Sequence, residues 1–165
     1  MDSSVSIKPV YNDLSNEVIN LILPIQQIEF NVPVTLQDQP DLLDLDSSYH
    51  RDGGGFWGAF REDKLVGTIG LINIGHSSGA IRKMFVKKEF RGKEHGIAQQ
   101  ILETLIAFSI EKNITDLYLG TVPVLKAAMR FYERNGFEKI GLENIPDYFP
   151  RMKADTVFYQ LKLNR

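Results

Sequence analysis

The chain of 165 residues has no cysteine. That absence excludes disulfides, thiol nucleophiles and zinc–thiolate centres. It fits a cytosolic setting, where thiols stay reduced and disulfides are rare. Charge of one sign is also lacking: 19 Lys and Arg stand against 21 Asp and Glu, a formal net charge of −2. No global basic surface is left for nucleic acid or an anionic membrane. No apolar run approaches the length of a membrane span, and the first residues, MDSSVSIKP, lack the charged and apolar regions of a secretory signal. Repeats and low-complexity tracts are absent. What remains is ordinary for a globular chain, 43% hydrophobic and 24% charged. Its length suits one domain, residues 1–165, with a proper core.

The hydrophobic pattern predicts mixed α/β structure. Residues 5–10 alternate as a strand, and residues 12–31 carry Leu14, Val18, Leu21, Ile22, Ile25 and Ile28 near helical spacing, with Pro24 placed to kink or split the helix. A polar stretch, residues 32–51, has room for one short helix near 41–46. Residues 56–62 and 65–74 read as a hairpin, residues 75–79 as a second turn, and residues 80–86 as a third strand. Ile97, Ile101, Leu105 and Phe108 line one face of the next helix. A short strand at 115–121 precedes a helix at 124–135 that ends at Gly136. Two strands close the chain, at 137–141 and 155–163.

Residues 80–102, AIRKMFVKKEFRGKEHGIAQQIL, are the most informative. An apolar strand leads into a basic loop with two glycines and then an amphipathic helix. A helix start offers unpaired N–H groups and partial positive charge, a ready site for an anion. Gly92 and Gly96 let the backbone approach it, while Arg91, Lys93 and His95 add positive charge. A nucleotide P-loop is excluded, because Ile97 and Ala98 follow Gly96 where Lys and Ser or Thr are required. The dinucleotide fingerprint is disfavoured by the loop's position in mid-chain, after several strands. An ordinary strand-to-helix turn with solvated basic residues is the bland alternative.

The element order (strand, two helices, three strands, helix, strand, helix, two strands) resembles the GNAT N-acetyltransferase superfamily. Lys93–Ala98 is similar to that family's Arg/Gln-x-x-Gly-x-Gly/Ala loop, with Lys in the first place, and Arg91-Gly92 looks like its usual Arg-Gly. AMRFYERNGF, residues 128–137, resembles the family's Ala-x-x-x-Tyr-x-x-x-Gly-Phe. Three departures stand out. The loop is longer than usual. Leu125 replaces an Asn common seven residues before the Tyr, and Ala80 replaces a Glu found in some members.

The resemblance implies an α/β fold with a mixed sheet, an acetyl-CoA-dependent N-acetyltransferase, acetyl-coenzyme A as cosubstrate, and no metal. It assigns the pyrophosphate to Arg91, Gly92, Lys93, Glu94, His95, Gly96, Ile97 and Ala98, and the pantetheine arm to the backbone at Met84 and Val86. An amine would attack the thioester directly, with a backbone N–H near Phe85 facing the oxyanion. Tyr132 takes the family's general-acid position. A free phenol titrates near ~10 and a thiol near ~8.5, so donation is uphill in water and needs help from the site. Leu125, Ala128, Met129 and Tyr132 also share a helical face, so Tyr132 has a core reading as well.

The base is not identified by the sequence. Glu29, Asp46, Tyr49 and His50 lie in segments expected to border the acceptor pocket, and His76 sits in a turn. Ala80 removes one acid, which mildly favours an amine of low pKa. Acceptor contacts are expected from residues 29–35, 42–55 and 143–153, with Glu29, Tyr49, Tyr148 and Arg151 as candidates. An aromatic-plus-Arg loop suits a small amine that also bears a carboxylate. Trp57 is read as core or pocket wall. The expected acceptor is a small molecule, with no nucleic-acid or membrane partner, and a homodimer is compatible with the family. A protein or peptide terminus as acceptor, and a non-catalytic acyl-CoA-binding module, are the alternatives.

Overall fold

The computed structural model describes residues 4–92, 94–152 and 154–163. Strand β1 (Ser6–Pro9) leads into helix α1 (Ser15–Pro24). Then come β2 (Gly55–Arg61), β3 (Lys64–Gly75), β4 (Ser78–Val86), α2 (Ile97–Glu111) and β5 (Asp116–Thr121). Helix α3 (Lys126–Arg134), β6 (Glu138–Ile140) and β7 (Val157–Lys162) complete the chain. Seven strands form one sheet in the order β1-β2-β3-β4-β5-β7-β6. Every pairing is antiparallel except β4 with β5. That parallel pair needs a crossover, which α2 provides.

Sequence and structure differ between β1 and β2, where a second helix was expected. Pro24 ends α1, and a π turn, Ile25–Glu29, follows. Proline has no N–H to give the carbonyl four residues back, so regular α geometry stops there. The polar stretch forms two single turns, Pro40–Leu43 and Asp46–His50, instead of a helix. Both hairpin turns are tighter than the sequence suggested. Glu62 and Asp63 have φ of 52° and 66°, and His76 and Ser77 both have 57°. Two consecutive left-handed residues match the right-handed twist of the flanking strands, so strand pairing continues to Gly75↔Ser78.

The sheet has an apolar layer on each face. On β2, Trp57 and Ala59 pack with α2 residues Ile97, Ile101, Leu102 and Leu105, while Phe56 and Phe60 face α1 residues Val18, Leu21 and Ile22. This is period-2 alternation feeding two layers. Trp57 is core, with its ring 5.0 Å from Phe108. Among the described residues, no helix is long and apolar enough to cross a membrane.

Two irregularities in β4 shape the site. Its pairing with β5 covers only Ser78↔Asp116, Gly79↔Leu117 and Ala80↔Tyr118, so the strands diverge beyond Ala80. On the β3 side, Thr68 pairs Phe85 and Gly70 pairs Arg82. Ile69 is thus opposed by both Lys83 and Met84, which makes a bulge. Lys83 has a left-handed φ of 56°, and Thr68 Oγ1 donates to its carbonyl at 2.7 Å. A bulge re-aims side chains. Here it serves the edge that faces the gap.

Candidate active site

A cavity of about 460 Å³ fills the gap between β4 and β5. Arg91, Gly92 and Ala98 line one part of it, Met84, Phe85 and Val86 run alongside, and Tyr132 from α3 faces it. Arg82, Lys83, Met152, Ala154 and Asp155 line it farther along β4. The two ends are fixed by contacts: Arg91 Nε donates to Val86 O at 2.8 Å, while Arg82 donates to Pro150 O at 3.4 Å and contacts Met152 Sδ. The cavity therefore runs from the glycine loop to the segment before β7.

Backbone polarity along β4 follows from the ladder. Lys87 N–H donates to Val66 O at 2.9 Å, on the β3 side. Alternation turns the Phe85 N–H the same way and the Met84 and Val86 N–H groups towards the gap. The N–H groups that face the gap are thus those of the two neighbours of Phe85, not its own.

The loop has the geometry of an anion cradle with some qualifications in charge. Gly92 has φ of 110° and Gly96 φ of 65°, the latter at the N-cap of α2 with no side-chain cap of its own. Both need glycine's freedom. Ala98 lines the cavity, whereas Ile97 is core. Lys93 lies outside the described residues. The Glu94 carboxylate folds over Gly92, with Oε1 2.9 Å from the position of an added Cβ. His95 Nδ1 is 3.5 Å from an Arg61 nitrogen, away from the cavity lining. Arg91 is held by a two-pronged ion pair with Glu29, at 2.5 and 2.7 Å. The Arg91 hydrogen bond holds the Glu29 carboxyl below its ordinary value, against the opposing effect of burial.

Tyr132 is 7% exposed, and among the described residues its hydroxyl makes no hydrogen bond. Its ring lies 5.6 Å from Phe137 and 5.7 Å from Tyr159. Burial pushes its pKa far up, helped by the Asp155 carboxylate and by Tyr159. The phenol therefore keeps its proton at neutral pH. That shift makes complete transfer to a thiolate harder, but a thiolate in the same dry cavity would be raised by burial as well. Tyr159 has its own partner, donating to Glu133 Oε2 at 2.7 Å.

The acceptor candidates scatter. Glu29 is occupied by Arg91 and does not line the cavity. Tyr49 is buried, donates to Asp41 Oδ2 at 2.5 Å and does not line the cavity. Tyr148 stacks on His76 with ring centres 4.0 Å apart, and the Arg151 guanidinium lies 5.7 Å over Phe158. Neither lines the cavity. Asp46 accepts from Asn12 N–H at 3.1 Å, and His50 bonds Val10 O at 2.7 Å while stacking on Tyr11. Of the three expected acceptor segments, the first contributes Phe30, Val32 and Val34 and the last contributes Met152.

Sequence reading missed Arg82, Lys83 and Asp155. Lys83 is 8% exposed and lies 3.4 Å from Asp41 Oδ2. Burial lowers its pKa to about 8, partly opposed by Asp41. Arg82 has no carboxylate within 4 Å among the described residues. The signal was in the sequence: two consecutive cations inside the apolar strand AIRKMFV put at least one of them on a buried face. No cluster among the described residues could hold a metal ion.

Comparison with known proteins gives a consistent answer. A family model described as the acetyltransferase (GNAT) family matches residues 19–137. N-acetyltransferase 8B of Rattus norvegicus is 31% identical over 118 residues, 68% of this chain and 50% of its own length. N-acetylaspartate synthetase of Xenopus tropicalis is 30% identical over 129 residues, 76% of this chain and 47% of its own. The chain thus spans about half the length of the curated relatives it matches. A GNAT-family acetyltransferase structure from Staphylococcus aureus superposes with a TM-score of 0.94 at 36% identity, covering 98% of this chain and 100% of that one. A PaiA N-acetyltransferase from Thermoplasma acidophilum, in complex with coenzyme A, shares the fold at 17% identity and a TM-score of 0.71, covering 97% of this chain and 99% of that one. By the family model and by this relatedness, the chain belongs to the acetyltransferase (GNAT) family.

Proposed function

We propose that this protein transfers an acetyl group from acetyl-coenzyme A to the primary amine of a small molecule, by direct attack within a ternary complex. The observation that carries the reading is the single cavity joining the glycine loop, the open edge of β4, Tyr132 and the charged group Arg82, Lys83 and Asp155. Its volume, about 460 Å³, lies in the small-molecule range of roughly 300–1,000 Å³. A long peptide needs a broad groove.

The residues fit the cosubstrate. The left-handed Gly96 opens α2 and presents its first N–H groups to a pyrophosphate. Beyond Ala80 the β4 edge lacks a sheet partner on the β5 side, which leaves backbone groups there open to the amides of a pantetheine arm, apart from Val86 O, which Arg91 occupies. The Met84 and Val86 N–H groups then face the thioester oxygen, where charge grows as the amine attacks. Tyr132 Oη donates to the departing thiolate. Arg82, a guanidinium without a carboxylate partner among the described residues, suits an acceptor that bears a carboxylate. The name of the Xenopus relative, N-acetylaspartate synthetase, accords with an acceptor of that class.

The test is thiol release from acetyl-coenzyme A over a panel of amino acids, simple amines and peptides. Turnover with small amino-carboxylates above their carboxamide analogues is the expected result. Turnover confined to peptides, or none with any amine, overturns the reading.

Arg91 provides a second check. As a half-buried cation already paired with Glu29, it is worth about 0.2–1 kcal/mol to a bound phosphate, roughly a 1.4- to 5-fold effect. Arg91→Ala is expected to weaken coenzyme A binding by that factor at low salt and less at high salt. Glu29→Gln, which frees Arg91, is expected to tighten it. Titration calorimetry at two ionic strengths reads both, and two unchanged affinities at low salt would leave the cradle to backbone amides alone.

A further inference from the structure

We infer that Asp155 is the base of this site: its carboxylate receives the acceptor's ammonium group and removes a proton from it before attack. The inference rests on the proposed N-acetyl transfer and supplies the group that the reaction requires and the sequence left unassigned.

The geometry starts with where Asp155 stands. It lies just before β7 and lines the same cavity as Tyr132. Its carboxylate presses on β5 at Gly120, where Oδ2 is 2.6 Å from the position of an added Cβ. Gly120 is two residues past the last β4–β5 pair, Ala80↔Tyr118, so the carboxylate sits where the two strands have parted. Glycine at 120 leaves the room that Asp155 occupies. From α3, Tyr132 is close enough for the Asp155 charge to raise its pKa. The proposed acid and base thus face one cavity from two different elements, an arrangement suited to a substrate held between them.

Other acids are otherwise engaged. Asp41 is held by Lys83 and Tyr49, and Glu29 by Arg91. Glu133 accepts from Tyr159. Asp155 makes no ion pair within 4 Å among the described residues. The charged and titratable groups facing it are Arg82 and Lys83 from β4, Arg151 from its own segment and Tyr132 from α3. Burial raises its pKa, and the two β4 cations and the Met152 backbone oppose that rise. The carboxylate is therefore a stronger base than a free Asp.

Protons and bonds balance. Asp155 takes one proton from the ammonium and passes it to solvent. The freed nitrogen lone pair forms the C–N bond at the thioester carbonyl. The C–S bond breaks, and the thiolate leaves with its electron pair and takes a proton from Tyr132. The second proton lost by nitrogen restores Tyr132. The net products are an amide, a thiol and one proton released.

The test compares wild type with Asp155→Asn and Asp155→Glu, using the amine that wild type turns over best in the panel. Asp155→Asn is expected to lower kcat/KM for the amine by ~10²-fold or more near pH 7, with coenzyme A affinity unchanged. The deficit is expected to shrink as pH rises towards the amine's own pKa, because the neutral amine no longer needs a base. It is also expected to shrink with a nucleophile already neutral at pH 7, such as an arylamine. Asp155→Glu should recover part of the activity. A deficit of equal size at every pH and with every nucleophile would make Asp155 a structural counter-charge to Arg82 and Lys83 and would overturn the assignment. So would near-normal kcat/KM at pH 7 in Asp155→Asn. If Asp155→Asn does not fold, Asp155→Glu decides: a kcat/KM profile identical to wild type at all pH values, despite a carboxylate moved by one methylene, would overturn it. Absence of wild-type turnover with every amine would instead remove the proposed function on which the inference rests.

Discussion

Tyr132→Phe is expected to lower kcat by at least ~10²-fold while acetyl-coenzyme A still binds. The substitution keeps the ring, whose contacts with Phe137 and Tyr159 at 5.6 and 5.7 Å belong to the core. It removes only a hydroxyl that bonds to nothing among the described residues, on a side chain that lines the cavity. Folding stability should therefore change little, which separates the catalytic role from the packing role. Single-turnover measurement is required, since slow product release would mask a slower chemical step. The pH profile adds a second check. Burial raises the Tyr132 pKa above its ordinary 10.0, so the phenol stays protonated throughout the neutral range. Its titration should contribute no fall in rate between pH 7 and its ordinary value of 10.0. A folded variant with a near-normal single-turnover rate would take Tyr132 out of the mechanism and leave thiolate protonation to water.

The fold was legible where local chemistry and tertiary structure agree. Residues 56–62 read as the first arm of a hairpin, and the Ile97, Ile101, Leu105 spacing announced the α2 face that covers it. The two glycines of the loop marked the start of α2 correctly, because left-handed backbone leaves a trace in residue type. The β4 bulge left no such trace. It places a lysine at positive φ, and what stabilises it is a hydrogen bond from Thr68, fifteen residues away in the sequence. The acceptor candidates lie off the cavity lining for a related reason. Tyr148 and Arg151 have suitable chemistry, but the loop settles them on His76 and Phe158. Arg82 and Asp155 reach the cavity through strand register and through a turn just before β7. Residue type at one position reports the chemistry available. Which side chains meet was decided by pairing between distant segments.

Gly96→Val is expected to weaken coenzyme A binding by at least ~10-fold while the protein remains folded. Gly96 sits at φ 65°, ψ 16°, at the N-cap of α2. Left-handed backbone costs a residue with a Cβ about 1–2 kcal/mol, and a β-branched residue there is an outlier. Valine can relieve that strain by rotating the turn. The Gly96 N–H bond to Gly92 O at 3.2 Å and the Gln100 N–H bond to Gly96 O at 3.1 Å would then be disturbed, and the first N–H groups of the helix re-aimed. An anion held by several aligned amides loses them together. The strain alone should lower Tm by only a few degrees, since each kcal/mol corresponds to about 2–4 °C in a chain of this size. Gly75→Val is the matched control. Gly75 is also left-handed, at φ 78°, nothing lies within 4 Å of an added Cβ, and it sits at the end of a hairpin away from the cavity lining. It should cost similar stability and leave coenzyme A affinity intact. Calorimetry on the two variants separates general strain from damage to the cradle. Undiminished affinity in folded Gly96→Val would mean that the pyrophosphate is held elsewhere.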